Sequence, residues 1–168
     1  MPIAPNFVFV VCQPGSAPFL KTEILRNHPK LRFAFSRPGL LTFKHEGNLP
    51  TGFSLASPFV RVWGNSLGRA TNAQELLELV RASGPRPPLR LHVFERDPKD
   101  AEALGPRVAE LGSRAAALSA ELLSSDQKIF HSSPVAAPGE LVLDVVVAPA
   151  SEPEEPWLVG WHAQRETQ

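Results

Sequence analysis

Leu31-Arg32-Phe33-Ala34-Phe35-Ser36, Arg37-Pro38-Gly39 and Leu40-Leu41-Thr42-Phe43-Lys44 follow one another without a gap. Leu31, Phe33 and Phe35 alternate with Arg32, Ala34 and Ser36, the period of a strand with one face in the core and one in water. Pro38-Gly39 reverses the chain, and Leu40–Lys44 returns beside the first strand as a hairpin. Strands joined this way are antiparallel, so the sheet they begin is not the all-parallel kind built from βαβ units.

Upstream, Phe7-Val8-Phe9-Val10-Val11-Cys12 is β-branched and aromatic throughout and reads as a buried strand. Gln13-Pro14-Gly15 turns the chain, Ser16 stands as a helix N-cap, and Phe19, Leu20, Ile24 and Leu25 recur at helical spacing. Asn27-His28-Pro29 ends that helix, because proline lacks the amide that would continue it. Downstream, residues 47–58 form a loop, and Phe59–Trp63 is an alternating strand with Arg61 opposite Val60 and Val62. The first 70 residues thus give β-α-β-β and a further strand, a ferredoxin-like half whose second helix is shortened or lost.

The second half begins with Thr71-x-x-Gln74, a capping-box pattern, and Leu76, Leu77 and Val80 make one apolar helix face. Ser83-Gly84-Pro85 stops the helix, Arg86-Pro87-Pro88 is a stiff linker, and Leu89–Glu95 alternates as a strand. Asp97-Pro98 opens a helix broken at Gly105-Pro106, with Val108, Leu111, Ala115, Leu118 and Leu122 as the stripe that packs on a sheet. Glu140–Ala148 is a strand, Pro149–Pro156 an acidic loop, and Trp157–Trp161 a last strand antiparallel to the previous one. The expected class is α+β, in two parts: residues 1–70 and residues 71–168.

A chain of 168 residues with 43% hydrophobic and 20% charged side chains can bury a core and need not be disordered. Cys12 is the single cysteine, so no internal disulfide forms and a reducing compartment is expected. Residues 1–12 carry no Lys or Arg, unlike a signal peptide. No stretch approaches the ~20 apolar residues of a membrane span. The expectation is a soluble, cytoplasmic protein.

The formal net charge of zero conceals a polarised distribution. Residues 1–70 hold eight basic side chains (Lys21, Arg26, Lys30, Arg32, Arg37, Lys44, Arg61, Arg69) against Glu23 and Glu46, a net +6. Residues 71–168 hold nine basic and fifteen acidic side chains, a net −6. A basic half meets phosphates and an acidic half repels them, which restricts binding to one face. The candidate RNA contacts are therefore those eight cations, with Arg32, Lys44 and Arg61 on strands and Arg26, Lys30 and Arg37 flanking them. Phe33 and Phe35 are placed inside the core, whereas Trp63 is a candidate for stacking on an unpaired base. His28 and His45 would add charge only below neutral pH. Charge this modest suits shape-based holding of a structured RNA more than base-by-base readout.

Two other chemistries have partial signals. Gly64-Asn65-Ser66-Leu67-Gly68 matches the Gly-x-Ser-x-Gly of an esterase elbow, and Asp144 and His162 follow in hydrolase order. No helix begins directly after Leu67, so a turn between strand and helix is the plainer reading and a serine hydrolase using Ser66 the remote one. His28, His45, His92, His131 and His162 lie far apart without ligand spacing, so no metal site is expected.

The order of motifs also carries a likeness. Val10-Val11-Cys12-Gln13-Pro14-Gly15, a helix, and Arg32-Phe33-Ala34-Phe35-Ser36-Arg37-Pro38-Gly39 resemble the start of the bacterial 23S rRNA cytidine 2′-O-ribose methyltransferases. Phe59-Val60-Arg61-Val62-Trp63 is similar to the strand that precedes that family's THUMP-like domain. Leu91–Asp97, the broken helix, Leu141–Val147 and Trp157-Leu158-Val159-Gly160-Trp161-His162 keep the same order, so the resemblance covers nearly the whole chain. It implies a ferredoxin-like segment (1–70) and a THUMP-like domain (71–168) that together hold RNA, 23S rRNA in the first place. In that family a Rossmann-type domain binds S-adenosylmethionine through a Gly-rich loop and carries the catalytic residues. No such loop follows a strand here, so the chain is expected to hold no cofactor and no catalytic residue. The alternative is a protein-interaction module whose acidic loop, Glu152–Glu155, docks a basic partner such as a separate methyltransferase domain.

Overall fold

The computed structural model describes residues 6–50, 52–96, 113–125, 128–131, 133, 135–149 and 152–165. The order of elements is β1 (Asn6–Cys12), α1 (Ala17–Asn27), β2 (Arg32–Arg37), β3 (Leu40–His45), β4 (Val60–Ala70), α2 (Ala73–Ser83), β5 (Arg90–Glu95), α3 (Ser113–Ser125), β6 (Leu141–Val147) and β7 (Trp157–Ala163). The strands form one mixed sheet in the order β2-β3-β1-β4-β7-β6-β5, in which only β5 and β6 run parallel. This is the α+β class, and the sheet runs unbroken across residue 70 because β4 pairs with β1 on one side and β7 on the other.

Strand pairing assigns every side chain to a face, because directly paired residues lie on the same side. Val8, Val10, Cys12, Leu41 and Phe43 meet Leu20 and Ile24 of α1 in one core. Leu91, Leu143, Val145, Val147 and Val159 meet α2 and α3 in another. The register puts both sets on the same face, so all three described helices cover one side. On the other side the sheet closes on itself. Phe9, Val11 and Leu40 from the first half touch Val146 and Leu158 from the second, across intervening strands. Two glycines allow that curl: a Cβ at Gly160 would overlap the Phe9 ring, and one at Gly64 would overlap the Trp161 carbonyl oxygen.

Four local readings change. In β2 the register shifts between Phe33 and Phe35, so Phe33 pairs with Phe43 on the helix side and Phe35 with Thr42 on the other. A bulge adds one residue and breaks the period of two, so the two phenylalanines do not share a core. The strand expected over Phe59–Trp63 continues to Ala70, because Asn65 and Ser66 find partners in both β1 and β7. The helix cap is Asn72, whose side chain accepts from Glu75 N at 2.9 Å, and the Glu75 carboxylate accepts from Thr71 N at 2.8 Å. The cap is thus one residue later than Thr71-x-x-Gln74 places it, and the Glu75 carboxylate reaches back to the N–H of the residue before the cap. Ser16 stands at the start of α1, but its hydroxyl donates back to Gln13 O at 2.7 Å instead of capping. Ala115, Leu118 and Leu122 are buried, as the apolar stripe requires. Asp97-Pro98, Gly105-Pro106, Val108 and Leu111 lie outside the described residues.

Candidate nucleic-acid interface

The β2–β3 hairpin begins after a turn in which Leu31 N donates to His28 O at 2.9 Å. That turn carries Pro29 and Lys30 and sets them beside the open end of the hairpin. Arg32 pairs directly with Lys44, so both point to the face that no described helix covers. Lys30, Arg32 and Lys44 line one cleft of about 340 Å³, together with Pro29, His45 and Glu46. Lys30 and Arg32 are exposed and Lys44 is half-buried. Among the described residues none of the three is held in an ion pair. Glu46 is the single carboxylate in the lining, so the cleft keeps an excess of positive charge. Cations grouped on a concave surface raise the local potential and attract phosphate oxygens.

The other predicted contacts lie elsewhere. Lys21 projects from α1 on the helix side, with Nζ 3.8 Å from the centre of the Phe33 ring. Arg26 is exposed in the last turn of α1, and Arg61 is exposed on β4. Arg37 donates to Glu155 Oε2 at 3.3 Å, so a carboxylate of the acidic half neutralises it. Arg69 lies over the Phe35 ring at 4.3 Å. Trp63 belongs to the α1 core, edge-on to Phe53 at 5.7 Å and covered by the Arg165 guanidinium at 3.9 Å. Arg165 also donates to Trp63 O at 3.1 Å, so the indole face is already occupied.

The acidic loop is largely spoken for. Glu155 pairs with Arg37, and Glu152 lies 3.0 Å from Arg96, whose side chain is 4% exposed.

A second polar group, not expected as a unit, sits on the same face of the sheet, away from the described helices. Asp144 is fully buried in the middle of β6, and its Oδ2 lies 2.5 Å from His162 Nδ1 on β7. Its Oδ1 lies 3.4 Å from His92 Nδ1 on β5. An imidazole oriented by a buried carboxylate is half of a nucleophile-activating set. Ser66 does not supply the other half: it pairs with Phe7 and Gly160 inside β4, where the esterase motif requires a sharp strand-to-helix turn. Among the described residues no hydrogen bond joins Ser66 to His162. The signal for this cluster is one Asp in the apolar run Leu141–Val147, which only a buried partner could satisfy.

No glycine-rich cofactor loop occurs at the described strand-to-helix turns. The β1–α1 turn, Gln13-Pro14-Gly15-Ser16, has one glycine, and the β4–α2 turn, Thr71-Asn72, has none. The repeated glycines that let backbone approach a cofactor at such a turn are therefore lacking there.

No protein-family model matches the chain, and no curated protein matches it. Among solved structures it is similar to a possible methylase from Clostridium difficile 630, at 11% identity over 94% of this chain and 41% of that one, with a TM-score of 0.48. It is similar to a 4-thiouridine synthetase in complex with RNA and ATP, at 12% identity over 96% of this chain and 42% of that one, with a TM-score of 0.47. It is also similar to TrmN from Thermus thermophilus, at 13% identity over 95% of this chain and 46% of that one, with a TM-score of 0.46. This chain spans less than half the length of each. Likeness at this level assigns it neither family nor activity.

Proposed function

We propose that this chain is an RNA-recognition module of a SAM-dependent rRNA 2′-O-methyltransferase, cytoplasmic and not itself catalytic. Its two parts act as ferredoxin-like and THUMP-like segments that hold structured RNA, 23S rRNA in the first place. S-adenosyl-L-methionine and the catalytic residues belong to the Rossmann-type domain of that enzyme class, not to these residues. The observation that carries the reading is the convergence of Lys30, Arg32 and Lys44 on one cleft, free of ion pairs among the described residues. The motif order gives the reading its RNA class. A protein-docking role for Glu152 and Glu155 gains no support, because Arg96 and Arg37 already engage them.

Filter binding to structured rRNA fragments across a salt series tests this. Each phosphate contact contributes about 0.7–0.9 to the slope of log affinity against log salt. Replacing two contacts in Arg32→Glu plus Lys44→Glu lowers the slope by about 1.4–1.8. An unchanged slope, or no binding by the parent chain at low salt, refutes the proposal.

A further inference from the structure

Two cavities meet at the end of the β2–β3 hairpin. The first is the cationic cleft. The second, about 300 Å³, is walled by Leu31, Leu49, Pro50, His28 and Phe53. They share Pro29, Lys30, His45 and Glu46, so one wall divides a charged compartment from an apolar, aromatic one. Each is near the lower end of the ~300–1,000 Å³ typical of small-ligand sites. The pairing of compartments matches a molecule with a charged end and a flat apolar end.

His45 forms the divide. It is 6% exposed, and neither ring nitrogen has a hydrogen-bond partner in good geometry. Burial lowers its pKa below the ordinary 6.5 and outweighs the opposing effect of the Gly47 backbone, so the ring is neutral at pH 7. A neutral imidazole offers one donor and one acceptor. A buried polar group left unsatisfied in a native structure needs an explanation, and a ligand that completes its bonds is one. His28 and Phe53 already contact each other at 4.8 Å between ring centres, giving the apolar compartment an aromatic wall. Asn6 Nδ2 donates to Gly47 O at 3.1 Å and ties down the loop that closes it.

We infer that the two compartments form one site for a single unpaired nucleotide of an RNA strand. Its phosphate lies among Lys30, Arg32 and Lys44, and its base enters the cavity lined by His28, Phe53 and His45. This inference rests on the RNA-binding reading and adds base recognition to it. Glu46, on the shared wall, suits an exocyclic amine of the base and not the phosphate.

The test compares, on the full chain, a short single-stranded homopolymeric RNA with the same strand made abasic. Both carry the same phosphates, so the difference reports the base. Base–aromatic contact predicts binding about tenfold tighter for the strand with bases. His45→Leu, which keeps the aromatic wall and removes the hydrogen bonds to the base, is expected to reduce that preference and to leave the salt slope unchanged. Arg32→Gln plus Lys44→Gln is expected to weaken both strands and lower the slope. The His45 ring proton resonances shift on addition of the strand with bases and stay in place with the abasic one. Equal affinity of the parent chain for both strands overturns the nucleotide site while leaving salt-sensitive RNA binding intact. Absence of binding to any RNA at low salt overturns both readings. A free nucleoside 5′-monophosphate binding as tightly as the strand overturns the assignment to RNA.

Discussion

Replacing Gly160 by alanine tests whether the sheet must curl on the face away from the described helices. The added Cβ would overlap the Phe9 ring and lie 2.6 Å from the Asn65 carbonyl oxygen. Phe9 is fully buried, and Asn65 belongs to the neighbouring strand, so neither can withdraw cheaply. Overpacking a core typically costs about 1–3 kcal/mol, and a backbone obstacle places this case at the upper end, about 3 kcal/mol. That is a large share of the roughly 5–15 kcal/mol that stabilises a typical domain. For a domain of this size each kcal/mol lowers Tm by about 2–4 °C, so Gly160→Ala should melt about 6–12 °C early. Differential scanning calorimetry measures the shift. Phe9→Ala alone should cost about 3–5 kcal/mol in lost packing. The double variant should be less unstable than the sum by about 1 kcal/mol or more, because trimming Phe9 makes room for the methyl group. A Gly160→Ala protein with the parent's Tm, or strict additivity with Phe9→Ala, would refute the account of how the two halves join.

Two further outcomes follow from buried polar groups. Asp144→Ala strips His162 and His92 of their shared carboxylate at a fully buried position and should destabilise the protein by about 3 kcal/mol in urea titrations, with Asp144→Asn milder. For His45, burial lowers the folded-state pKa below 6.5, so the unfolded chain takes up the proton first. Its effect is therefore absent well above pH 6.5 and becomes a loss of stability as pH falls below that value. His45→Leu should flatten the decline in urea midpoint between about pH 7 and 5.5, and an identical decline in both proteins would contradict the burial argument.

The hairpin shows how much local pattern conveys. The alternation from Leu31 to Phe35 and the Pro38-Gly39 turn locate two strands, and the structure pairs them with each other. The same alternation misplaces Phe35, because a bulge leaves no trace in a period-two pattern. The cap of α2 moves by one residue because Asn72 and Glu75 compete with Thr71 and Gln74 on nearly equal terms, and geometry decides. Of the candidate contacts, charge alone marks eight cations as equivalent. The tertiary structure separates them: three share a cleft, Arg37 is neutralised by Glu155, and Arg69 and Lys21 lie on phenylalanine rings. Trp63 reads from its strand as a candidate for stacking on a base, and the Arg165 guanidinium, far along the chain, covers it instead.

Sequence by itself determined the class of fold, the position of nearly every described strand and helix, and the split between a basic and an acidic half. Those properties follow from side-chain periodicity, turn chemistry and composition, which act between residues close in the chain. Tertiary structure alone decided the order of the seven strands, the curl that lays Phe9 on Gly160, the pairing of Asp144 with His162, and the wall that His45 places between two cavities. Each of these depends on groups brought together across the chain by packing and sheet twist, and no local pattern encodes that meeting.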